Sequence, residues 1–156
     1  FDGLFVAVFL KNKLMKQTYF YAKEKHVKNW LIKFAAAKNN VIVMDLTDLK
    51  TSLQKMAEVL KRGKNIIIFP EGTRTQNGKI GEFKKTFAIL SRELNVPIVP
   101  VAINGAFDAL PRGTHFPKPW KKINVKFLKP ILPEDHSYDS LTDAVQSKVT
   151  EQLNLK

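Results

Sequence analysis

The chain contains no cysteine, and only three of its 156 residues are histidine. The absence of cysteine excludes a disulfide-stabilised scaffold, a thiol nucleophile and any cysteine-ligated zinc or iron–sulfur site. The three histidines are scattered along the chain, which argues against a histidine-rich metal centre. We therefore expect no metal site.

Long apolar runs are also missing. The longest extends from Leu4 to Leu10 and stops at Lys11, whereas a helix needs about 20 apolar residues to cross a bilayer. The chain begins with Phe1 rather than Met and lacks the features of a signal peptide. We therefore expect a portion of a longer protein that does not itself cross a membrane.

Positive charge is abundant and unevenly distributed. The chain has 26 Lys and Arg against 14 Asp and Glu, a formal net charge of +12 and a pI of about 9.9. Residues 1–40 hold eight lysines and two acidic residues, which is half of the total excess. Such a field attracts nucleic acid, anionic lipid headgroups or an acidic carrier protein. Charge alone does not choose among these partners, and lysines that only provide solubility remain an alternative.

The order of apolar segments predicts an α/β fold in a single domain covering residues 1–156. Strands are expected at 18–22, 41–44, 65–69, 97–103 and 123–127, and helices at 26–38, from about 51, around 83–94 and at 141–153. Residues 3–10 slightly favour a helix. In the strand at 65–69 the apolar residues follow one another rather than alternating, as in sheets covered on both faces. The helix from about Thr51 has a possible capping box at Thr51–Gln54 and a natural stop at Gly63. The alternation predicts a mostly parallel central sheet with helices on both faces.

The most informative segment is the turn expected after the strand at 65–69. The chain reads Ile66-Ile-Ile-Phe-Pro-Glu-Gly-Thr-Arg-Thr75, and Pro70 cannot continue a hydrogen-bond ladder. Gly72 permits a tight turn with exposed N–H groups, and Arg74 offers a planar set of donors suited to phosphate. These residues predict a phosphate-binding turn, with an ordinary surface loop as the alternative.

Residues 69–75, FPEGTRT, resemble the third sequence block of the PlsC-type glycerophosphate and lysophosphatidate acyltransferases. Further similarities lie at 22–24 (AKE), 81–85 (GEFKK), 96–103 (VPIVPVAI) and 125–131 (VKFLKPI). Thr86 stands where the family usually has Gly, and Leu46 where it commonly has Arg. The resemblance covers most of the chain and implies a glycerol-3-phosphate acyltransferase-like fold.

The resemblance also implies a reaction. Family members transfer a fatty acyl group from coenzyme A or acyl carrier protein to a hydroxyl of a lysophospholipid or glycerophosphate, with no cofactor beyond the thioester co-substrate. In the family's His-x-x-x-x-Asp block the His acts as general base and the Asp orients it. Asp2 matches that Asp, so the His is expected upstream of Phe1. The fragment alone is therefore expected to be inactive.

Residue by residue, the resemblance assigns the acceptor phosphate to Lys23, Glu71, Gly72, Thr73 and Arg74. Acceptor and product are membrane lipids, and the basic N-terminal third suits an anionic bilayer. The expected location is therefore peripheral, on the cytoplasmic face of a membrane.

Two other functions remain open at this point. A nucleic-acid-binding module would explain the +12 charge, but no recognised motif supports it and the lysines are spread over several elements. A non-catalytic relative that binds anionic lipid would explain the same phosphate-binding residues without the His.

Overall fold

The computed structural model describes residues 12–23, 40–44, 48–73, 75, 77–109, 118 and 120–155. The helices expected at 3–10 and 26–38 lie outside these residues. The described residues belong to two compact units, one within Ala7–Phe69 and one within Pro70–Lys156. Each unit is described separately below.

The first unit contains a parallel sheet. In chain order its elements are α1 (Asn12–Met15), β1 (Thr18–Lys23), β2 (Val41–Met44), α2 (Leu49–Lys61) and β3 (Asn65–Ile67). The strand order is β2-β1-β3, and β1 pairs in parallel with both neighbours. The predicted strands at 18–22 and 41–44 are confirmed. The third ends at Ile67 rather than Phe69, before Pro70, which has no N–H for the ladder.

Helix α2 is capped differently from the expectation. A helix from Thr51 with a capping box to Gln54 was predicted, but Asp48 is the N-cap, and its carboxylate accepts a hydrogen bond from Thr51 N at 3.0 Å. Thr51 is therefore inside the helix. The expected stop at Gly63 is confirmed, because Gly63 has φ +69° and donates to Leu60 O at 2.9 Å.

The second unit combines two helices with an antiparallel strand pair. Its elements are α3 (Thr86–Leu94), β4 (Val101–Asn104), α4 (Ala106–Ala109), β5 (Asn124–Phe127) and α5 (Tyr138–Asn154). Strands β4 and β5 pair antiparallel, with Ala102 opposite Lys126. Helix α5 confirms the predicted C-terminal helix and begins with a capping box between Ser137 and Ser140. Its buried face includes Leu141, Val145 and Val149.

The predicted α/β class with a parallel sheet is confirmed, and two further local expectations differ in the second unit. Phe83 precedes α3 instead of lying in it, yet it is buried and packs edge-to-face on Phe87 with ring centroids 6.4 Å apart. The strand expected at 97–103 is divided into an isolated bridge from Ile98 to Ile131 and the four-residue β4. Pro100 lies between them and has no N–H for a continuous ladder.

Candidate functional site

The candidate site is the turn Pro70–Thr73, which follows β3 in the chain. Gly72 has φ +68°, a left-handed conformation that glycine adopts without the steric cost of a Cβ. Glu71 and Gly72 are half-buried, and Thr73 is exposed. The turn therefore presents backbone and a hydroxyl to solvent while its glutamate points toward protein.

The Glu71 carboxylate is engaged inside the protein. Its Oε2 accepts a hydrogen bond from the backbone N of Gly81 at 2.7 Å. A Cβ on Gly81 would lie 3.0 Å from the same oxygen, so glycine allows the carboxylate to approach this closely. A charge-assisted bond of this length is among the stronger hydrogen bonds in proteins. It ties the turn to the segment ten residues further along the chain.

Two more interactions hold the same segment. The backbone N of Lys84 donates to Pro70 O at 3.0 Å. The Gln146 amide on α5 accepts from Phe83 N at 3.2 Å and donates to Gly81 O at 3.4 Å. We call Pro70–Thr73 together with residues 81–84 the braced turn. The Lys84–Pro70 backbone bond, the Glu71 carboxylate and the Gln146 amide fix its shape, as anion binding by oriented N–H groups requires.

The connection between the two halves of the braced turn is also ordered by local bonds. Asn77 Oδ1 accepts from Lys79 N at 3.0 Å, and Asn77 N donates to Thr75 Oγ1 at 3.4 Å. Gly78 has φ +78°, and a Cβ there would lie 3.2 Å from the Phe107 ring. Asparagine side chains stabilise turns in this way.

Charge near the braced turn is partly paired. Lys85 forms an exposed ion pair with Asp139 on α5. The hydrogen bond that Lys85 donates to the Asp139 carboxylate, and then the negative charge of that carboxylate, raise the pKa of Lys85 above the ordinary lysine value. Among the residues that the structure describes, no group of three His, Cys, Asp or Glu side chains could hold a metal ion.

The structure places only some of the predicted site residues. Glu71, Gly72 and Thr73 lie together in the turn. The backbone of Lys23 ends β1, and its side chain is not described. Asp2 and Arg74 lie outside the described residues. The assignment of these residues to catalysis and phosphate binding stays a prediction.

Gln146 was missed by the sequence analysis. It lies 63 and 65 residues from its partners Phe83 and Gly81, and a glutamine within a helical pattern gives no sign of such a bond. Gly81 could be singled out from the sequence, because it begins the GEFKK segment quoted above. Its bond to Glu71 joins two of the matched motifs.

Comparison with known proteins agrees with this geometry. The sequence model of a family described as Acyltransferase matches residues 1–104, a stretch that includes the whole braced turn. The chain belongs to the acyltransferase family. Gln146 and all of α5 lie beyond the matched stretch of this acyltransferase-family chain.

Curated relatives carry a more specific name. The chain is 31% identical to the chloroplastic 1-acyl-sn-glycerol-3-phosphate acyltransferase BAT2 of Brassica napus, over 72% of the chain and 32% of the relative. It is 34% identical to the 1-acyl-sn-glycerol-3-phosphate acyltransferase of Limnanthes douglasii, over 67% of the chain and 38% of the relative. It thus spans about a third of the length of these relatives.

A solved structure supports the fold. The 1-acyl-sn-glycerophosphate acyltransferase PlsC of Thermotoga maritima superposes with a TM-score of 0.74 at 29% identity, covering 88% of this chain and 56% of that protein. The expected glycerol-3-phosphate acyltransferase-like fold is confirmed. No helix in the described part of the chain is long and apolar enough to cross a membrane.

Proposed function

We propose that the chain belongs to an enzyme that transfers a fatty acyl group to the free hydroxyl of a lysophospholipid or glycerophosphate. The names of its relatives support this class of acceptor. The acyl donor is a thioester of coenzyme A or of acyl carrier protein. The protein works as a peripheral protein on the cytoplasmic face of an anionic membrane.

The chemical step is acyl transfer from sulfur to oxygen. The acceptor hydroxyl oxygen attacks the thioester carbonyl while a histidine upstream of Phe1 removes its proton. The carbon–sulfur bond then breaks, and the thiolate leaves with that proton as a thiol. Asp2 orients the histidine. This step needs no metal or organic cofactor.

The braced turn is the observation that carries the proposal. Gly72 at φ +68° and the Glu71–Gly81 hydrogen bond hold the turn in one conformation. In this proposal the turn, held in one conformation, offers backbone N–H groups to a phosphate, which carries between one and two negative charges near neutral pH. Arg74 supplies a cation, and Thr73 supplies a hydroxyl.

Glu71 has a different part in this proposal from the other residues of the turn. A carboxylate repels a phosphate, and its described hydrogen bond is to Gly81 N. We therefore assign Glu71 to holding the turn in place while Gly72, Thr73 and Arg74 bind the phosphate. Glu71→Gln keeps an oxygen that accepts from Gly81, whereas Glu71→Ala does not.

The test is a steady-state assay of the full-length protein with radiolabelled acyl-coenzyme A and acyl carrier protein donors. Acceptors are a panel of lysophospholipids and glycerol 3-phosphate. We expect Arg74→Ala to raise the acceptor KM at least tenfold, because a charge-assisted hydrogen bond contributes roughly 1.5–3 kcal/mol. The donor KM should stay unchanged.

Three outcomes separate the alternatives. Turnover that is lost on replacement of the upstream histidine supports the enzyme. Absence of turnover with every pair, in a correctly folded protein, overturns it in favour of a lipid-binding relative. An equal loss in Glu71→Gln and Glu71→Ala would contradict the bracing role of Glu71.

A further inference from the structure

Trp120 is displayed to solvent in an unusual way. Its side chain is 98% exposed, more than any other large apolar side chain that the structure describes. Its φ is +72°, a conformation that bulky residues rarely adopt. This tryptophan exposes a large apolar surface to water and also adopts an unfavourable backbone conformation. Both features suggest that it contacts a partner outside the chain.

The loop that carries Trp120 is anchored on both sides. The backbone N of Lys118 donates to Ala109 O, at the end of α4, at 2.7 Å. On the other side, a Cβ added to Gly105 would lie 2.2 Å from the carbonyl oxygen of Lys122, so the two backbones pack directly on each other. We call residues 118 and 120–122 the Trp120 loop. Its ends are fixed by these backbone contacts, and the side chains of its four residues are exposed.

The sequence on either side of the Trp120 loop is rich in basic residues. Between Asp108 and Glu134 the sequence holds six Lys or Arg residues and no acidic residue. The five of these that the structure describes are all exposed: Lys118, Lys121, Lys122, Lys126 and Lys129. Within the described ranges, ion pairs join other residues, Arg62 with Glu58 and Lys85 with Asp139. Among the residues that the structure describes, these five lysines are exposed and belong to neither ion pair, so their charge can attract an anionic partner.

We propose that the Trp120 loop and the neighbouring lysines dock on an anionic lipid bilayer, an inference that rests on the proposed function. Tryptophan prefers the membrane interface, and lysines near the surface attract anionic headgroups. Single-stranded nucleic acid stacks on successive aromatic rings. Of the other exposed rings described, Tyr138 already lies beneath Arg92 and forms a hydrogen bond with Glu93, and Phe127 is only 43% exposed. The described surface therefore offers one fully exposed ring rather than a row of rings, which favours a bilayer over single-stranded nucleic acid.

The test measures partition of the chain into vesicles of phosphatidylglycerol and phosphatidylcholine by flotation. We expect Trp120→Ala to weaken binding about tenfold, which corresponds to roughly 1.4 kcal/mol of lost apolar burial. Lys121→Gln with Lys122→Gln should weaken it about 30-fold, at about 1 kcal/mol for each lysine. The matched control, Lys55→Gln with Lys61→Gln, removes the same charge from exposed positions on α2 and should change binding less than threefold.

A fluorescence arm reports the contact directly. Within these 156 residues Trp30→Phe leaves Trp120 as the single tryptophan, and we expect its emission to shift to shorter wavelength on these vesicles and to be quenched by brominated lipid. No shift, or equal losses in the test and control lysine pairs, would overturn the inference. Tighter binding to a single-stranded oligonucleotide than to vesicles would overturn it too.

These readouts do not depend on turnover. Vesicle binding that requires Trp120, in a full-length protein without acyltransferase activity, would support the docking surface and refute the proposed function. The opposite result is turnover of acceptor in detergent micelles together with vesicle binding that Trp120→Ala does not change. It would support the function and refute the docking surface.

Discussion

The braced turn and the Trp120 loop are both held by glycine and hydrogen bonds, but their side chains are directed differently. In the braced turn, the Glu71 carboxylate bonds to Gly81 N. The Gln146 amide of α5 bonds to Phe83 N and to Gly81 O. In the Trp120 loop, backbone contacts at Gly105 and Ala109 hold the ends while the tryptophan and lysines face solvent. The first arrangement uses side chains to hold a turn in one conformation, and the second uses backbone contacts to hold a loop whose side chains are exposed.

The largest effect is expected at the base of the Trp120 loop. Gly105 has φ +83°, and a Cβ there would lie 2.2 Å from Lys122 O. Gly105→Ala should therefore lower the free energy of unfolding by about 3 kcal/mol, as expected for strain combined with a backbone clash. Chemical denaturation of the chain measures this value.

Gly63 provides the matched control for Gly105. It has φ +69° but no atom within 4 Å of an added Cβ, so Gly63→Ala carries backbone strain without a clash. We expect a loss of roughly 1–2 kcal/mol. Equal losses at the two glycines would show that the contact with Lys122 does not anchor the loop.

A smaller effect on stability but a clear effect on binding is expected at Gly81. In Gly81→Ala the new Cβ would lie 3.0 Å from Glu71 Oε2, and the end of a flexible side chain can move aside. The free energy of unfolding should fall by about 1 kcal/mol, while the acceptor KM should rise about tenfold as the charge-assisted bond weakens. Kinetics of the full-length protein provide the test. An unchanged acceptor KM would show that the braced turn does not contribute to phosphate binding.

Gln146 tests whether α5 contributes to the braced turn. Gln146→Ala removes bonds to Phe83 N and Gly81 O and should cost about 1–2 kcal/mol of stability. The acceptor KM should rise severalfold at constant kcat, and amide exchange at Gly81 and Lys84 should accelerate. Ser147→Ala, at the next and exposed position, is the control and should change none of these. Faster exchange throughout α5, without a KM change, would indicate a purely structural role.

The sequence was informative where a local pattern decides the structure. The apolar runs at 18–22 and 41–44 predicted two strands of the parallel sheet, and the FPEGTRT string predicted the turn at Gly72. Distant partners were not predictable, because Gln146 acquires its bonds only when α5 packs beside the turn. Strand direction was also not encoded, since an apolar run such as β4 suits either pairing.

Local competition explains the other differences. Asp48 and Thr51 are both good N-cap residues. Asp48 is the one that caps the helix, because its carboxylate accepts a hydrogen bond from Thr51 N. The apolar spacing of Phe83 and Phe87 suggested one helix, but Phe83 N is bonded to the Gln146 side chain instead. In both places a side chain supplied a hydrogen bond that the pattern of apolar residues could not reveal.

The smallest effect is expected at the exposed pair Lys85–Asp139, which also links the end of the braced turn to α5. Both side chains are largely in water, where such pairs contribute little. The raised pKa of Lys85 means that this contribution is complete below the ordinary lysine value and is lost only as the pH rises through the folded value. Because the contribution of such an exposed pair is small and does not change with pH over this range, Lys85→Gln should shift the unfolding midpoint and the acceptor KM only slightly, and by the same amount, between pH 6 and pH 9. A KM increase as large as that of Gln146→Ala would show that the ion pair, rather than the amide, holds the turn against α5.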